Sequence, residues 1–468
     1  MKFYEDLLAA GNGPSLYSFV EQAIADYKAS SMFAEALTAY EYFKKRNTTI
    51  LQYKKLLYTM SGEAVPDNFS ANYKFCNAFF PIFVKQENSY LLGDGITFNN
   101  DATKDALGGD DFDTDMYAAG EYALWGGVSF LFFNMDHVEP FKATEFVPLF
   151  GEEDGALHAG IRFWQIAKDK PMRATLYEED GYTELLFDKG KAQVIREKTT
   201  YKLNTEATEA DGVQIVDGEN YDGFPIVPLW ANREHQSELT GLREKIDGYD
   251  LIQSGMCNTI DEASLIYWTI NGGGGGMDDI DLAEFVERMR TLHAVAVDDE
   301  GAKAESHTME VPYQATQVVL SDLRDSLYRD AMALDTEKIS GGQITATAIN
   351  ASYENLELKC DGYEYCVTEA IKSLLALVGL DDSPTYHRRK TTNQPEVTNM
   401  ILAAAQYLDD ETILKHLPFL NIDEIDEIMN RKDKEEAERF AALAKAPDDE
   451  QEDDEEDAEQ GQGQNTSR

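Results

Sequence analysis

Three stretches in the C-terminal half each carry a single apolar stripe at helical spacing. Over 235–266 the stripe runs through Leu239, Leu242, Ile246, Tyr249, Ile252, Met256, Ile260 and Ala263, always three or four residues apart. That spacing is one face of an α-helix, roughly 45 Å long at 1.5 Å per residue. A second helix is predicted over 314–334 through Val319, Leu323, Leu327 and Leu334. A third is predicted over 346–378, through Ile349, Tyr353, Leu356, Cys360, Tyr363, Val367, Ile371, Leu374 and Val378. Such stripes usually pack in a core, but three in series, two of them very long, are unusual for a compact enzyme.

The N-terminal half is mixed. Residues 1–60 read mainly as helix, with Tyr17, Val20, Ile24 and Tyr27, then Phe33, Leu37, Tyr40 and Phe43, at helical spacing; 48–60 continue in that style. A helix is expected over 71–89 despite Pro81, ending in a glycine-punctuated turn at 90–95 before a short strand at 96–98. From 124 to 230 the period changes. An apolar run at 125–134 and short segments at 158–166, 172–176, 183–187, 193–196 and 199–203 predict an antiparallel sheet with hairpins, closed by the proline-marked segment 224–230. Between the first two striped helices lies a small module with an apolar segment at 265–270, a glycine run at 272–276, a helix at 280–292 and a strand at 293–297. Residues 335–343 read as a flexible loop and 395–445 as a smaller helical set.

Charge sets further bounds. The 468 residues hold 41 Lys+Arg against 87 Asp+Glu, a formal net charge of −46. Affinity for nucleic acid of any sequence comes from Lys and Arg neutralising phosphates, so this chain is not built to grip DNA over a broad surface. From Pro447 onward the chain is an acidic block and then Gln/Gly-rich, a composition for which disorder is expected. The four cysteines, Cys76, Cys257, Cys360 and Cys366, form no CxxC pair, and Cys360 falls on the third helix's stripe as a buried thiol. Neither a signal peptide nor a membrane span is expected.

Motifs for chemistry are missing. The glycine run is followed by Met277, Asp278 and Asp279 rather than GK[ST], and the two acids would repel phosphate. Asp111, Asp113 and Asp115 begin like a calcium loop, but the sixth position is Met116 and the twelfth Tyr122, so the stretch reads as an acidic surface loop. The seven histidines make no HxxxH or HExxH pair, and there is no GxSxG elbow. No catalytic residue, metal or cofactor is predicted.

The order of several short segments resembles one family, the siphophage-type portal proteins (head-to-tail connectors) of tailed bacteriophages. Gly223-Phe224-Pro225-Ile226-Val227-Pro228-Leu229-Trp230-Ala231-Asn232 is similar to the family's apolar strand ending in Asn. Lys245-Ile246-Asp247-Gly248-Tyr249-Asp250 resembles its "LIDAYD" on the first long helix. Residues 320–328 look like the second such helix, Ser340-Gly341-Gly342 and 346–355 like the loop and third helix, and Tyr90-Leu91-Leu92-Gly93 like "YLLG". Together they span roughly residues 40–430.

The resemblance implies an α+β portal-type fold: a mixed wing (1–234), a first stem helix (235–266), a clip (267–313), a second stem helix (314–334), a tunnel loop (335–345), a long wing helix (346–379), a helical crown (380–446) and an acidic tail (447–468). It implies a structural, non-enzymatic subunit of a twelve-membered ring at the capsid vertex of the virion, assembled in the host cytoplasm, for DNA packaging and ejection. Implied partners are other copies of the chain, the terminase packaging motor, head-completion or adaptor proteins, major capsid and scaffold proteins, and double-stranded DNA passing without sequence preference. No membrane is involved. The loop residues facing DNA would be Thr336, Lys338, Ser340, Gln343 and Thr345. Docking of motor and adaptors would fall to Met277, Asp278, Asp279, Glu284, Arg288 and Arg290 of the clip. Twelve copies would carry about −550 formal charges, an acidic wall along which DNA slides. An acidic assembly factor or DNA mimic, and a metal-dependent hydrolase, are the competing readings of the same composition.

Overall fold

The computed structural model describes residues 2–58, 62–67, 70–188, 191–208, 212–263, 267–271, 303–307, 312–339 and 346–388, with scattered residues between 398 and 434. It divides into one unit of residues 1–342 and 350–390 and a second of 343–349 and 391–468.

The first unit opens with helices α1 (Tyr4–Ala10), α2 (Pro14–Lys28), α3 (Ser31–Phe43) and α4 (Thr48–Gln52). Pro14 starts α2, where its missing N–H costs nothing, and Ser30 caps α3 by accepting from the Phe33 N–H. The buried face of α3 is Ala36, Ala39 and Tyr42, and Leu37 is exposed, so the stripe sits beside the one the spacing predicts. After α4 the chain leaves helix for the hairpin β1 (Leu56–Tyr58) and β2 (Ala64–Pro66), against the continuous helix expected over 48–60.

Helix α5 (Phe79–Leu92) starts later than predicted. Pro81 falls in its first turn, where a proline is tolerated, and Tyr90–Leu92 is its last turn rather than a loop. Strand β3 (Ile96–Thr97) and helix α6 (Asp101–Ala106) lead to α7 (Asp110–Gly126). This corrects the acidic-loop reading of Asp111–Asp115. Asp110, Asp111 and Asp113 occupy the first turn of α7, where the helix dipole favours negative charge. Asp113 also accepts from the Ile96 N–H at 3.0 Å and pairs with Lys104 at 2.6 Å. Phe112, Met116, Ala119 and Ala123 form the buried face, and Gly127, at φ 82°, ends the helix in the left-handed region.

Two antiparallel sheets follow. Strands β4 (Val128–Asn134), β5 (His137–Lys142) and β13 (Ile226–Trp230) are ordered β13-β4-β5. Strands β6 (Phe146–Phe150), β7 (Leu157–Trp164), β8 (Met172–Glu178), β9 (Gly181–Asp188) and β10 (Lys191–Thr199) form a meander, β10-β9-β8-β7-β6. Alternation sets its faces: Ile161, Phe163, Ala174, Leu176, Leu185 and Phe187 share a core with Phe19, Val20, Ala23, Ile24 and Tyr27 of α2. The hairpin β11 (Lys202–Thr208) and β12 (Gly212–Glu219) extends beyond it.

A larger core joins α3, α5, α7, β4 and β13 to the long helices. These are α8 (Arg243–Ala263), α9 (Tyr313–Asp330) and α11 (Ala346–Val378), with the single turn α10 (Thr336–Ile339) between the last two. The stripe alone placed both ends of α11. Helix α8 starts eight residues later than expected: Gly241, at φ 79°, breaks the helix, so Leu239 and Leu242 are buried from turns. Met332, at φ 52°, follows the end of α9, and Leu334 is buried from the turn beyond.

Strand β14 (Tyr267–Asn271) pairs with β15 (Lys303–His307), and β16 (Thr385–Tyr386) with β3. The glycine run, the helix of 280–292 and the strand of 293–297 lie outside the described residues. In the second unit the described residues include a helical stretch at 401–404 and a 3-10 turn, Ala405–Tyr407; most of the predicted 395–445 set and the acidic tail lie outside them.

Candidate functional site

Helices α8 and α9 pack as a pair, and their upper ends are fixed firmly. Ile246 and Leu327 are fully buried, and Lys245 donates to the Ser326 hydroxyl at 2.8 Å and forms an ion pair with Asp330. Four rings tie the pair to α5: Tyr249 meets Phe79 at 4.9 Å, and Tyr328 meets Phe83 at 5.2 Å, both edge-on. Further along, the apolar stripes emerge from this core. Ile260 on the α8 stripe and Val319 on the α9 stripe are 48% and 44% exposed, and Tyr313 at the start of α9 is 52% exposed; Leu251 and Val318 are exposed on other faces of the two helices. Ile260 and Val319 thus prolong the buried stripes into solvent, an arrangement suited to contact with another surface.

The opposite flank of α8 is polar and held by an extended strap, residues 73–77. The Tyr73 N–H donates to Asn258 Oδ1 at 2.7 Å, Phe75 N–H to Ser254 Oγ at 3.0 Å, and Asn77 N–H to Asp250 Oδ1 at 3.0 Å. Two residues of extended chain advance about 6.6 Å and four residues of helix about 6 Å, so alternate strap amides meet successive turns of α8. Asp250 is fully buried and accepts as well from the side chains of Asn47 and Asn77. Burial raises its pKa, and these bonds oppose the rise. The helix stripe gave no sign of the strap, because Asp250, Ser254 and Asn258 lie off it.

Beyond α9 the chain folds back in one turn. Gln86 clamps Leu334 on both sides, accepting from its N–H at 3.1 Å and donating to its carbonyl at 2.8 Å. Arg324 pairs with Asp335 at 3.0 Å and Glu337 at 2.5 Å, and lies over the Tyr328 ring. Thr336 and Lys338 are therefore on a helical turn, α10, where the sequence predicted open loop. Lys338 is 62% exposed and its ammonium lies 2.8 Å from Asp325, whose carboxyl is held below the usual range by that bond. Ser340, Gln343 and Thr345 lie outside the described residues.

So do Met277, Asp278, Asp279, Glu284, Arg288 and Arg290. The strands at their base are described: Asn271 stands opposite Lys303 and Tyr267 opposite His307, so the intervening chain leaves and returns at one place.

Helix α11 crosses this assembly with Tyr353, Leu356, Cys360, Tyr363, Val367 and Leu374 buried. Tyr363 donates to Asn88 Oδ1 at 3.2 Å, above Gly120, where a Cβ would stand 2.4 Å from the Tyr363 hydroxyl. Among the described residues no cluster of His, Cys, Asp or Glu is arranged to hold a metal, and no helix is long and apolar enough to cross a membrane.

Two relatives are portal proteins. The one from Clostridium phage phiCD119 is 24% identical over 44% of this chain and 47% of its own length. The one from Bacillus phage SPP1 is 22% identical over 81% of this chain and 80% of its own. Among solved structures, the neck of a native gene transfer agent particle, computed with C12 symmetry, aligns over 74% of this chain and 90% of its own at 12% identity and a TM-score of 0.42. A chain of the native gene transfer agent virion aligns over 74% and 87% at 13% identity and a TM-score of 0.38. The description "Phage portal protein, SPP1 Gp6-like" matches residues 27–438, and on that match the chain belongs to the phage portal protein family.

Proposed function

We propose that this chain is one of twelve subunits that close into a ring at the capsid vertex, with DNA entering and leaving through the centre. The observation that carries the proposal is the α8/α9 pair, anchored in the core through Ile246 and Leu327 and carrying Ile260 and Val319, both on the apolar stripes, into solvent beyond it. Head-to-tail contacts between such faces close a ring when the rotation between copies divides a circle.

In this reading residues 1–234 and 346–379 are wing, 235–266 and 314–334 are the stem segments built around α8 and α9, 267–313 are clip, 335–345 are tunnel loop and 380–446 are crown. The acidic wall keeps DNA from adhering, and the loop following α9 touches passing phosphates through Lys338, whose partner Asp325 competes for its charge. The clip receives the packaging motor and later the adaptor proteins, capsid and scaffold proteins surround the wing, and assembly takes place in the host cytoplasm. The subunit performs no catalysis; nucleotide hydrolysis belongs to the motor.

DNA packaging with Lys338→Ala and Lys338→Glu rings tests the loop assignment. Reduced packaging or retention, larger for Glu than for Ala, is expected. Packaging equal to the parent would remove Lys338 from the channel.

A further inference from the structure

The face of the five-stranded sheet turned away from α2 carries a cleft of about 470 Å³. Phe132, Tyr177, Tyr182 and Tyr201 form its aromatic wall, with Tyr177 and Tyr201 stacked at 6.5 Å and 4°. The Tyr201 hydroxyl donates to the Glu178 carbonyl at 2.6 Å, which fixes that ring. Trp164 and Ile195 line the cleft while remaining 37% and 47% exposed.

Its charged groups are mostly satisfied internally. Arg162 holds Glu139 at 2.6 Å and stacks on Phe141, and Arg196 donates to the Tyr182 hydroxyl at 2.5 Å and lies 3.7 Å from Glu184. Arg173 differs. It is exposed, sits in register between Trp164 on β7 and Leu186 on β9, and meets no carboxylate among the described residues. It is a guanidinium left over on an aromatic floor, in a chain with more than twice as many acids as bases.

The surrounding segment is also anomalous in charge. Its strands, β6–β10, hold five Lys and Arg against four Asp and Glu, close to balance within a chain of −46. An acidic ligand meets less repulsion on these strands than over the chain as a whole. With Glu139 and Glu184 beside it, the cleft offers one unmatched cation, not the row of cations that a phosphodiester backbone needs. That favours a single carboxylate followed by an apolar or aromatic side chain.

We infer that this cleft is a docking site for an acidic peptide segment of a protein partner, its carboxylate paired with Arg173 and its neighbouring ring or aliphatic side chain laid against Trp164 and the tyrosine wall. The site stands whether or not the chain closes into a ring. Losing a hydrogen bond to a charged group costs about 1.5–3 kcal/mol, roughly a tenfold to hundredfold change in affinity.

The test is fluorescence anisotropy on the full-length protein with a labelled decapeptide alternating Glu or Asp with Phe or Leu. Its Lys-substituted counterpart and a labelled DNA oligonucleotide serve as controls. The acidic peptide is expected to bind, the Lys peptide and oligonucleotide not to bind, and Arg173→Gln and Trp164→Ala each to weaken binding at least ~10-fold. Arg173 is exposed, so unchanged thermal unfolding of Arg173→Gln separates lost docking from lost fold. Binding equal in the parent and Arg173→Gln would overturn the inference, as would an acidic peptide that fails to bind, or an oligonucleotide that binds in its place.

Discussion

The Lys359 ammonium lies 2.7 Å from the Glu87 carboxylate and, on its other side, 2.6 Å from Glu238. One lysine thus serves two acids and joins α5, the turns leading into α8, and α11. Glu87 is 2% exposed and Lys359 14%. Removing one member of a buried pair strands the other charge at a cost of about 3–5 kcal/mol. Lys359→Met is therefore expected to lose about that much stability in urea unfolding, far more than an exposed lysine such as Lys338→Met, at roughly 0.5 kcal/mol or less.

The same triad makes stability depend on pH. Burial pushes the Glu87 carboxyl up to about 7, with the Lys359 charge opposing and Glu238 adding to the rise. A carboxyl whose folded pKa exceeds its unfolded one binds more protons folded than unfolded. It therefore favours the fold at low pH, and that contribution is lost as pH rises from about 4.5 to about 7. Glu87→Gln is expected to flatten the fall across this window, measured as melting temperature against pH in both proteins. An unchanged slope would show that Glu87 titrates normally.

The strap along α8 should open when its central acceptor goes. Asp250→Ala leaves the Asn77 amide without its acceptor and the Asn47 side chain with only the Asn77 carbonyl, at about 1–3 kcal/mol. Faster amide exchange at residues 73–77, with that of α11 unchanged, is the expected signature; slow exchange at 73–77 would mean the ladder does not hold the strap.

The exposed valines of α9 make the opposite kind of prediction. Val318 and Val319 are 59% and 44% exposed, so Val318→Asp or Val319→Asp should change the subunit's unfolding by only about 0.5 kcal/mol. The same changes should prevent copies from associating, which sedimentation velocity would show as loss of the large species.

Much of this was readable in advance where one periodicity dominated. The stripe of α11 is buried from Tyr353 through Leu356, Cys360, Tyr363, Val367 and Ile371 to Leu374, so packing and periodicity agree along that length. The alternation in β7–β9 likewise set which residues meet α2. Helix α7 was hidden because its acidic first turn imitates a calcium loop, while Phe112 and Met116 declare a helix face only through the core they are buried in. The strap was hidden for another reason: 71–78 is apolar enough to continue a helix, and only the side chains of α8, more than 170 residues away, draw its amides into extended chain. Lys359 gave one faint signal, a charge set between Leu356 and Tyr363 on the buried face. Its two partners come from distant segments that periodicity does not connect.

Negative-stain electron microscopy of the purified protein, with mass photometry on the same sample, tests the central claim most directly. Rings with a central hole and a mass near twelve times 52.5 kDa are predicted. Compact particles of one subunit's mass that stay monomeric even with capsid and scaffold proteins present would contradict it.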